Sequence, residues 1–289
     1  MAVDTSERHA FESAEVVRDE TGRQYHIGLA PGEVASSCIL VGDPARAERI
    51  AQRFEQIDGE WRNREYVTFT GRWQGGPLTV MATGMGCDNT EIALVEYCQL
   101  VERPTFIRVG SSGGLQPELE LGDLVISAGA VKLENTTDFF VPQGYPALAH
   151  HEVVLALLEA ARRTGHRHTL GLTASASGFY GAQGRHVPGF PLRMPELPEQ
   201  LGRMGVQNME METAALFCLS TLRGVRAGAV CAIYANRPRN VFIDTEAKAR
   251  AEAAAIEVGL GAVAVLRRMD AARGEAPHWL PSHGLGAGE

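Results

Sequence analysis

Cysteine is scarce in this chain, and none of it is paired by spacing. Five occur among 289 residues (Cys38, Cys87, Cys98, Cys218, Cys231), with no CxxC. An odd, scattered set argues against a disulfide framework or a zinc site and suits a reducing compartment. No stretch is long and apolar enough to span a bilayer. The first residues, MAVDTSERHAFESAEVVRDE, lack an apolar signal region. The expectation is a cytoplasmic protein with no membrane partner, in which the NTT sequon at Asn135 is chance. Positive charge is also in short supply: 27 Lys and Arg against 35 Asp and Glu, a net charge of -8. That argues against a nucleic-acid surface, although a few local arginines suffice for a small anion. There is no GxxxxGK[ST], and the GLGAG near the C-terminus lacks the strand and helix that a dinucleotide site requires. The pairs His150-His151 and His166/His168 fall in helix-end or loop contexts and read as surface residues, so no metal site is expected.

What is present is ordinary globular composition, 45% hydrophobic and 21% charged. No composition shift divides the chain, which favours one domain. Short β-branched runs at 36–42, 77–84, 105–111, 124–131, 169–177 and 227–236 read as strands. Helical patterns follow at 45–54, 90–100, 151–165, 212–224 and 246–269. Apolar strands alternating with helices predict an α/β sheet covered on both faces, with ligands gathering at strand ends.

Four strand ends carry polar chemistry. In VGDPARAERIA (41–51) an apolar strand stops at Gly42-Asp43-Pro44 and a helix starts near Ala45. Its free N–H groups could meet an anion, and Arg46 in the first turn opposes the helix dipole unless an anion lies near. A plain turn capped by Asp43 explains the same residues. In FIRVGSSGG (106–114), Arg108 sits inside an apolar strand before a Gly/Ser loop with Ser111 and Ser112. A buried guanidinium needs an acceptor, either a bound oxyanion or an internal carboxylate. GFYGAQGR (178–185) offers Phe179 and Tyr180 for stacking and Gln183 and Arg185 as donors, or is a loop with its aromatics tucked inward. In NMEMETAAL (208–216), Glu210 and Glu212 share a side if the chain is extended up to Glu212, where a helix then starts. Together they could hold vicinal hydroxyls; otherwise Glu212 caps the helix or neutralises its dipole and Glu210 pairs with an arginine.

GDPARAERIA, TGMG, IRVGSSGGLQP…LGDLVIS, TASASGFYGAQGR, NMEMETAAL and ANR stand in the order found in nucleoside phosphorylases. The chain resembles that family over roughly residues 24–269, and within it the uridine phosphorylases. The resemblance implies a single-domain α/β fold whose central mixed sheet is partly closed into a barrel and flanked by helices. It places an extension at 1–23, the domain at 24–270 and a flexible tail at 271–289. It also implies dimers, often assembled into hexamers.

The implied roles run residue by residue. Gly42, Arg46, Arg108 and Ser111 bind phosphate, and Arg64 is lent to that site by a neighbouring subunit. His26, also from the neighbour, meets the ribose 5′-hydroxyl. Glu210, Met211 and Glu212 hold ribose. Phe179, Gln183 and Arg185 frame the base with Arg237 behind it, and Tyr180 and Tyr234 line its pocket. The implied activity is reversible phosphorolysis of uridine to uracil and ribose 1-phosphate in pyrimidine salvage. Arg108, Gln183, Arg185 and Glu212 carry the chemistry, and phosphate is a substrate, with no cofactor. Asn236 and Arg237 stand where purine-specific relatives have an aspartate, which favours a pyrimidine. Departures are Ser111 for a common threonine, and Cys87, Asp88 and Asn89 in the loop GMGCDNTE. Alternatives left open are a purine or broad-specificity phosphorylase, a nucleosidase, and a non-enzymatic nucleoside-binding protein.

Overall fold

The computed structural model describes residues 13–15 and 17–284. Of the expected extension, residues 1–12 and 16 lie outside the described residues, as do 285–289 of the expected tail. The chain opens with β1 (Ser37–Val41), α1 (Pro44–Ala51), a hairpin of β2 (Gln56–Asn63) and β3 (Tyr66–Trp73), β4 (Gly76–Ala82) and α2 (Cys87–Leu100). Next come β5 (Thr105–Gly114), β6 (Leu124–Leu133), the short β7 (Ala147–Leu148), α3 (His151–Thr164) and β8 (His168–Ala176). The last part holds α4 (Leu197–Arg203), β9 (Val206–Glu210), α5 (Thr213–Arg223), β10 (Arg226–Asn236), β11 (Val241–Phe242) and α6 (Thr245–Arg273).

All these strands join one mixed sheet. β5 pairs with β9, β9 with β8, β8 with β6 and β6 with β10, and β10 returns to β5 in parallel. These five strands close the barrel. β1, β4, β3 and β2 continue outward from β5 as an open wing. The α/β barrel with flanking helices anticipated from the sequence is therefore the observed architecture.

The β1 and β10 runs, CILV and AGAVCAIYAN, are buried along their whole length because helices cover both faces. One apolar cluster joins the barrel to α1, α3 and α6, and another joins it to α2 and α5. The long α6 approaches β5 closely at Gly259, where an added Cβ would lie 2.4 Å from Val109 Cγ2.

The structure adds β7, α4, β9 and β11 to the expected elements and revises others. The strand expected at 105–111 runs on to Gly114, because β9 supplies pairing partners to Gly113 and Gly114. Ser111 and Ser112 are thus strand residues, not loop. The hairpin β2–β3 was not expected: β2 (QIDGEWRN) is polar and half exposed, although β3 (YVTFTGRW) carries the β-branched and aromatic residues of a buried strand. At the C-terminus, α6 continues to Arg273, and Trp279 packs on the core beside it. The Trp279 amide donates to buried Glu152 at 2.8 Å.

Candidate active site

A cavity of about 710 Å³ opens where the C-terminal ends of β1 and β5 meet the start of α5. That volume suits a small organic ligand. Of the residues singled out in the sequence, Gly42, Arg46, Arg64, Arg108, Ser111, Phe179, Gln183, Arg185, Glu210, Met211, Glu212 and Tyr234 all line it.

The residues expected to meet phosphate converge from three elements. Asp43 caps α1 through Ala45 N at 3.0 Å, with Pro44 at the first helical position. Gly42 sits so close to the next loop that a Cβ would lie 3.2 Å from Gly84 O. Arg46 is buried. Its Nε donates to Glu252 at 3.0 Å and its Nη1 to Val109 O at 3.1 Å. Arg49 also pairs with Glu252.

Arg108 answers the question raised by the two glutamates. Its Nε donates to Glu210 at 2.9 Å and its Nη2 to Glu212 at 2.5 Å, and all three side chains are buried. Nη1 has no partner among the described residues. The arginine pairing expected of Glu210 is realised, Glu212 shares the same guanidinium, and β9 does run extended into the start of α5. The two carboxylates are not equivalent. Glu210 also accepts from Ser175 Oγ at 2.5 Å, from Glu212 N at 2.9 Å and from Thr213 N at 3.0 Å. Among the described residues, Glu212 accepts otherwise only from Gly86 N, at 2.6 Å. Burial pushes the Glu210 carboxyl up, but Arg108 and these donors outweigh it and hold the group below the usual carboxylate range. Burial raises Glu212, Arg108 offsets only part of that, and the neighbouring Glu210 charge adds to it.

The opposite end is built by the segment after β8. Gln183 is buried and accepts from Arg185 Nη1 at 2.6 Å. Arginine can only donate, so the amide oxygen must face it, and the Gln183 NH2 is left free for a ligand. Arg185 also donates to Phe179 O at 2.6 Å and stacks over the Phe179 ring, 3.6 Å from its centroid. Arg237 does not line this cavity; it donates to Gln183 O and Gly184 O, holding the segment from behind. Neither arginine has a carboxylate partner among the described residues. Burial, with Arg237 nearby, pulls Arg185 down to about 10. Tyr180 stands outside, exposed.

Two predicted residues lie toward the surface. Arg64 occupies the tip of the β2–β3 hairpin at φ 53°, a conformation costly for a side-chain-bearing residue. It reaches the cavity's mouth from its own chain and donates to Tyr25 Oη at 2.9 Å. His26 is not among the lining residues. Its ring Nδ1 lies 2.6 Å from Glu96, whose carboxylate also accepts from the amides of His26 and Ile27.

The family model for the phosphorylase superfamily matches residues 37–264. The chain belongs to the phosphorylase superfamily. A uridine phosphorylase of Thermococcus kodakarensis is 45% identical over 236 residues, 80% of this chain and 84% of that protein. A uridine phosphorylase of Treponema pallidum is 37% identical over 253 residues, 88% and 98% of the two chains. A guanosine phosphorylase of Halorubrum lacusprofundi is 32% identical over 214 residues, 74% and 84%. In this phosphorylase the lining also includes Lys248 and Phe242 near the start of α6, and Ser112, Met209 and Arg62. Sequence reading missed Lys248 and Glu252, because a charged residue on a long polar-faced helix carries no local signal. A second cavity of about 880 Å³ lies beyond Arg237, between Gln116, His186 and Arg203. It holds none of the phosphate or ribose candidates. Among the described residues, His151, Glu152 and His278 lie within 4.8 Å of one another, away from the cavity. Glu152 is already taken up by Arg226 and Arg273. No membrane-spanning helix occurs among the described residues.

Proposed function

We propose that this chain catalyses the reversible phosphorolysis of uridine to uracil and ribose 1-phosphate. The observation that carries the reading is the polarity of one cavity. Arg46, Arg108 and Ser111 stand at one end, and Gln183 and Arg185, free of carboxylate partners, stand at the other. Phosphate would enter against Arg46 and Arg108, whose planar donors fit its oxygens. Positioning it beside C1′ supplies much of the rate. Glu212, with acceptor capacity to spare, would hold the ribose hydroxyls. Glu210, with its oxygens saturated, would fix Arg108 and the turn before α5. As the glycosidic bond breaks, the sugar gains positive charge beside these carboxylates. The uracil leaves as an anion, stabilised by donors already aimed at it. No proton donor or organic cofactor is required, and inorganic phosphate is the second substrate.

The ring carbonyls and N3–H of uracil suit the Gln183 amide, whereas cytosine would set an amino group against Arg185. The 45% and 37% identities to uridine phosphorylases support the same preference. The proposal includes pyrimidine salvage in the cytoplasm, and a homo-oligomer in which His26 and Arg64 are lent to a neighbour's site. His26 is partly exposed and Arg64, at the β2–β3 tip, is exposed, which supports that lending.

Uracil release from uridine with and without phosphate tests the reaction class; equal release in both would mean a nucleosidase. A panel of uridine, thymidine, inosine and guanosine tests the base. The guanosine phosphorylase relative makes guanosine the sharpest purine competitor. Faster turnover of guanosine than of uridine would overturn the pyrimidine assignment.

A further inference from the structure

A row of four buried polar side chains crosses the barrel wall and ends at the cavity. Ser127 on β6, Thr173 on β8 and Asn208 on β9 are fully buried, and Ser112 on β5 lines the cavity. Ser127 Oγ lies 2.6 Å from Thr173 Oγ1. Thr173 Oγ1 donates to Asn208 Oδ1 at 2.8 Å, and Asn208 Nδ2 donates to Ser112 Oγ at 2.8 Å. The strands place them: β8 and β9 run parallel with Thr173 opposite Asn208, and β5 pairs with β9 through Gly114 and Asn208.

The direction of this row follows from hydrogen-bonding capacity. An amide nitrogen only donates and an amide oxygen only accepts. Ser112 must therefore accept from Asn208, and Thr173 must donate to it. Thr173 then has only lone pairs left for Ser127, which donates. Turning the Asn208 amide over would reverse every bond and leave the Ser127 hydrogen without an acceptor. Ser127 is 0% exposed and has no other hydrogen-bond partner among the described residues. Such orphaned buried donors are rare because they cost the full desolvation of the group. Only one orientation satisfies all the hydroxyls. In it, the Ser112 hydrogen is the one left over, and the cavity is where it can go.

We propose that Asn208 is a positioning residue. Backed by Thr173 and Ser127, it holds the Ser112 hydroxyl as a fixed donor to one carbonyl oxygen of the bound base. This rests on reading the cavity as a nucleoside site. The neighbouring Gly113 backs onto the stem of Arg237, the residue that holds the Gln183 segment, which puts Ser112 on the base side. A donor-only hydroxyl favours an oxygen acceptor and works against a ligand that presents an amino group there.

The test uses 2-thiouridine and 4-thiouridine, in which sulfur replaces each carbonyl oxygen in turn and accepts hydrogen bonds poorly. The penalty is the ratio of kcat/KM for uridine to that for the thio analogue. In Ser112→Ala, one of the two penalties is expected to fall about tenfold while the other stays. Asn208→Asp, assayed at pH 8, accepts from both Thr173 and Ser112 and turns the hydroxyl hydrogen inward. The same single penalty is expected to fall, with no further change in the double variant. Should Asn208→Asp not fold, Thr173→Val frees the amide to turn over and is expected to act on that same penalty. Two unmoved penalties in Ser112→Ala, or an Asn208 effect that persists undiminished without the Ser112 hydroxyl, would overturn the proposal. A wild-type enzyme that releases no uracil from uridine refutes the nucleoside reading, and the proposal with it. Wild-type activity with unmoved penalties refutes the proposal alone.

Discussion

Arg108 and Glu212 meet at 2.5 Å at the floor of the cavity, and Glu210 holds the same guanidinium at 2.9 Å from its other side. Two buried carboxylates thus share one cation, in a site read as receiving phosphate. Arg108, the proposed phosphate-binding group, is therefore also the counter-ion that makes its two neighbours tolerable in the interior.

This double duty decides how its variants behave. Arg108→Ala leaves Glu210 and Glu212 buried without their cation, so it is expected to destabilise the fold by about 3–5 kcal/mol as well as abolish phosphorolysis. Arg108→Lys keeps the charge but loses the fork. It is expected to retain most of the stability and lose roughly a hundredfold in kcat/KM. Denaturant unfolding alongside initial rates separates the two effects. Near-wild-type kinetics in Arg108→Lys would remove Arg108 from the phosphate site.

At the other end of the cavity, Arg185 is expected to act on the leaving base rather than on affinity alone. Arg185→Leu should lower kcat for uridine about a hundredfold, the usual effect of removing one preorganised donor from a developing anion. The residue must be charged to act. Because burial and Arg237 pull it down to about 10, wild-type activity should fall as pH rises toward that value. Arg237→Gln removes the like charge and should move that alkaline limb upward. Rates measured from pH 7 to 10.5 check both statements, and an alkaline limb unmoved in Arg237→Gln would count against this cause.

Much of this site was legible because its residues break their local pattern. Arg108 interrupts an apolar strand, Arg46 puts a cation at a helix start, and Glu210 and Glu212 flank a core-like run. Each anomaly marks a place where burial or a dipole must be compensated. Residues that obey their local pattern stayed silent. Lys248 and Glu252 lie on α6, where alternating charge is ordinary, and Glu252 reaches Arg46 across 206 residues of sequence. The β2–β3 hairpin that carries Arg64 was only half legible: β2 is polar and half exposed, whereas β3 has the β-branched and aromatic pattern of a buried strand. The Ser127–Thr173–Asn208–Ser112 row joins four strands, and only their register brings these small polar residues together.

The proposed lending of His26 and Arg64 to a neighbour can be tested by complementation. His26→Ala/Arg64→Ala subunits and Arg108→Lys subunits are each expected to be nearly inactive alone. In a mixed dimer, one of the two sites receives an intact Arg108 together with a partner's intact His26 and Arg64. Co-expression with two affinity tags and sequential purification should therefore recover up to about half of the wild-type rate per dimer. Since Arg64 also reaches the mouth of its own chain's cavity, there is a clear alternative outcome. No recovery in verified mixed dimers would assign Arg64 to its own site.

Away from the cavity, His150 ties stability to pH. It caps α3 by accepting from Glu152 N at 3.3 Å through Nδ1, which requires a neutral ring. Burial lowers it first, His151, Arg226 and His278 add like charge, and Glu152 only partly opposes them; the result is about 4 against an ordinary 6.5. The unfolded chain thus binds this proton more readily than the folded one between those two values, so stability rises with pH across that window. The contribution is fully present above pH 6.5 and is lost as pH falls toward 4. Allowing for the group's partial exposure, it amounts to about 1–2 kcal/mol. His150→Asn keeps a capping acceptor but does not titrate. Unfolding free energies measured at pH 7 and pH 4.5 should therefore drop less in the variant than in the wild type, by about that amount. Equal drops would show that His150 titrates alike in both states.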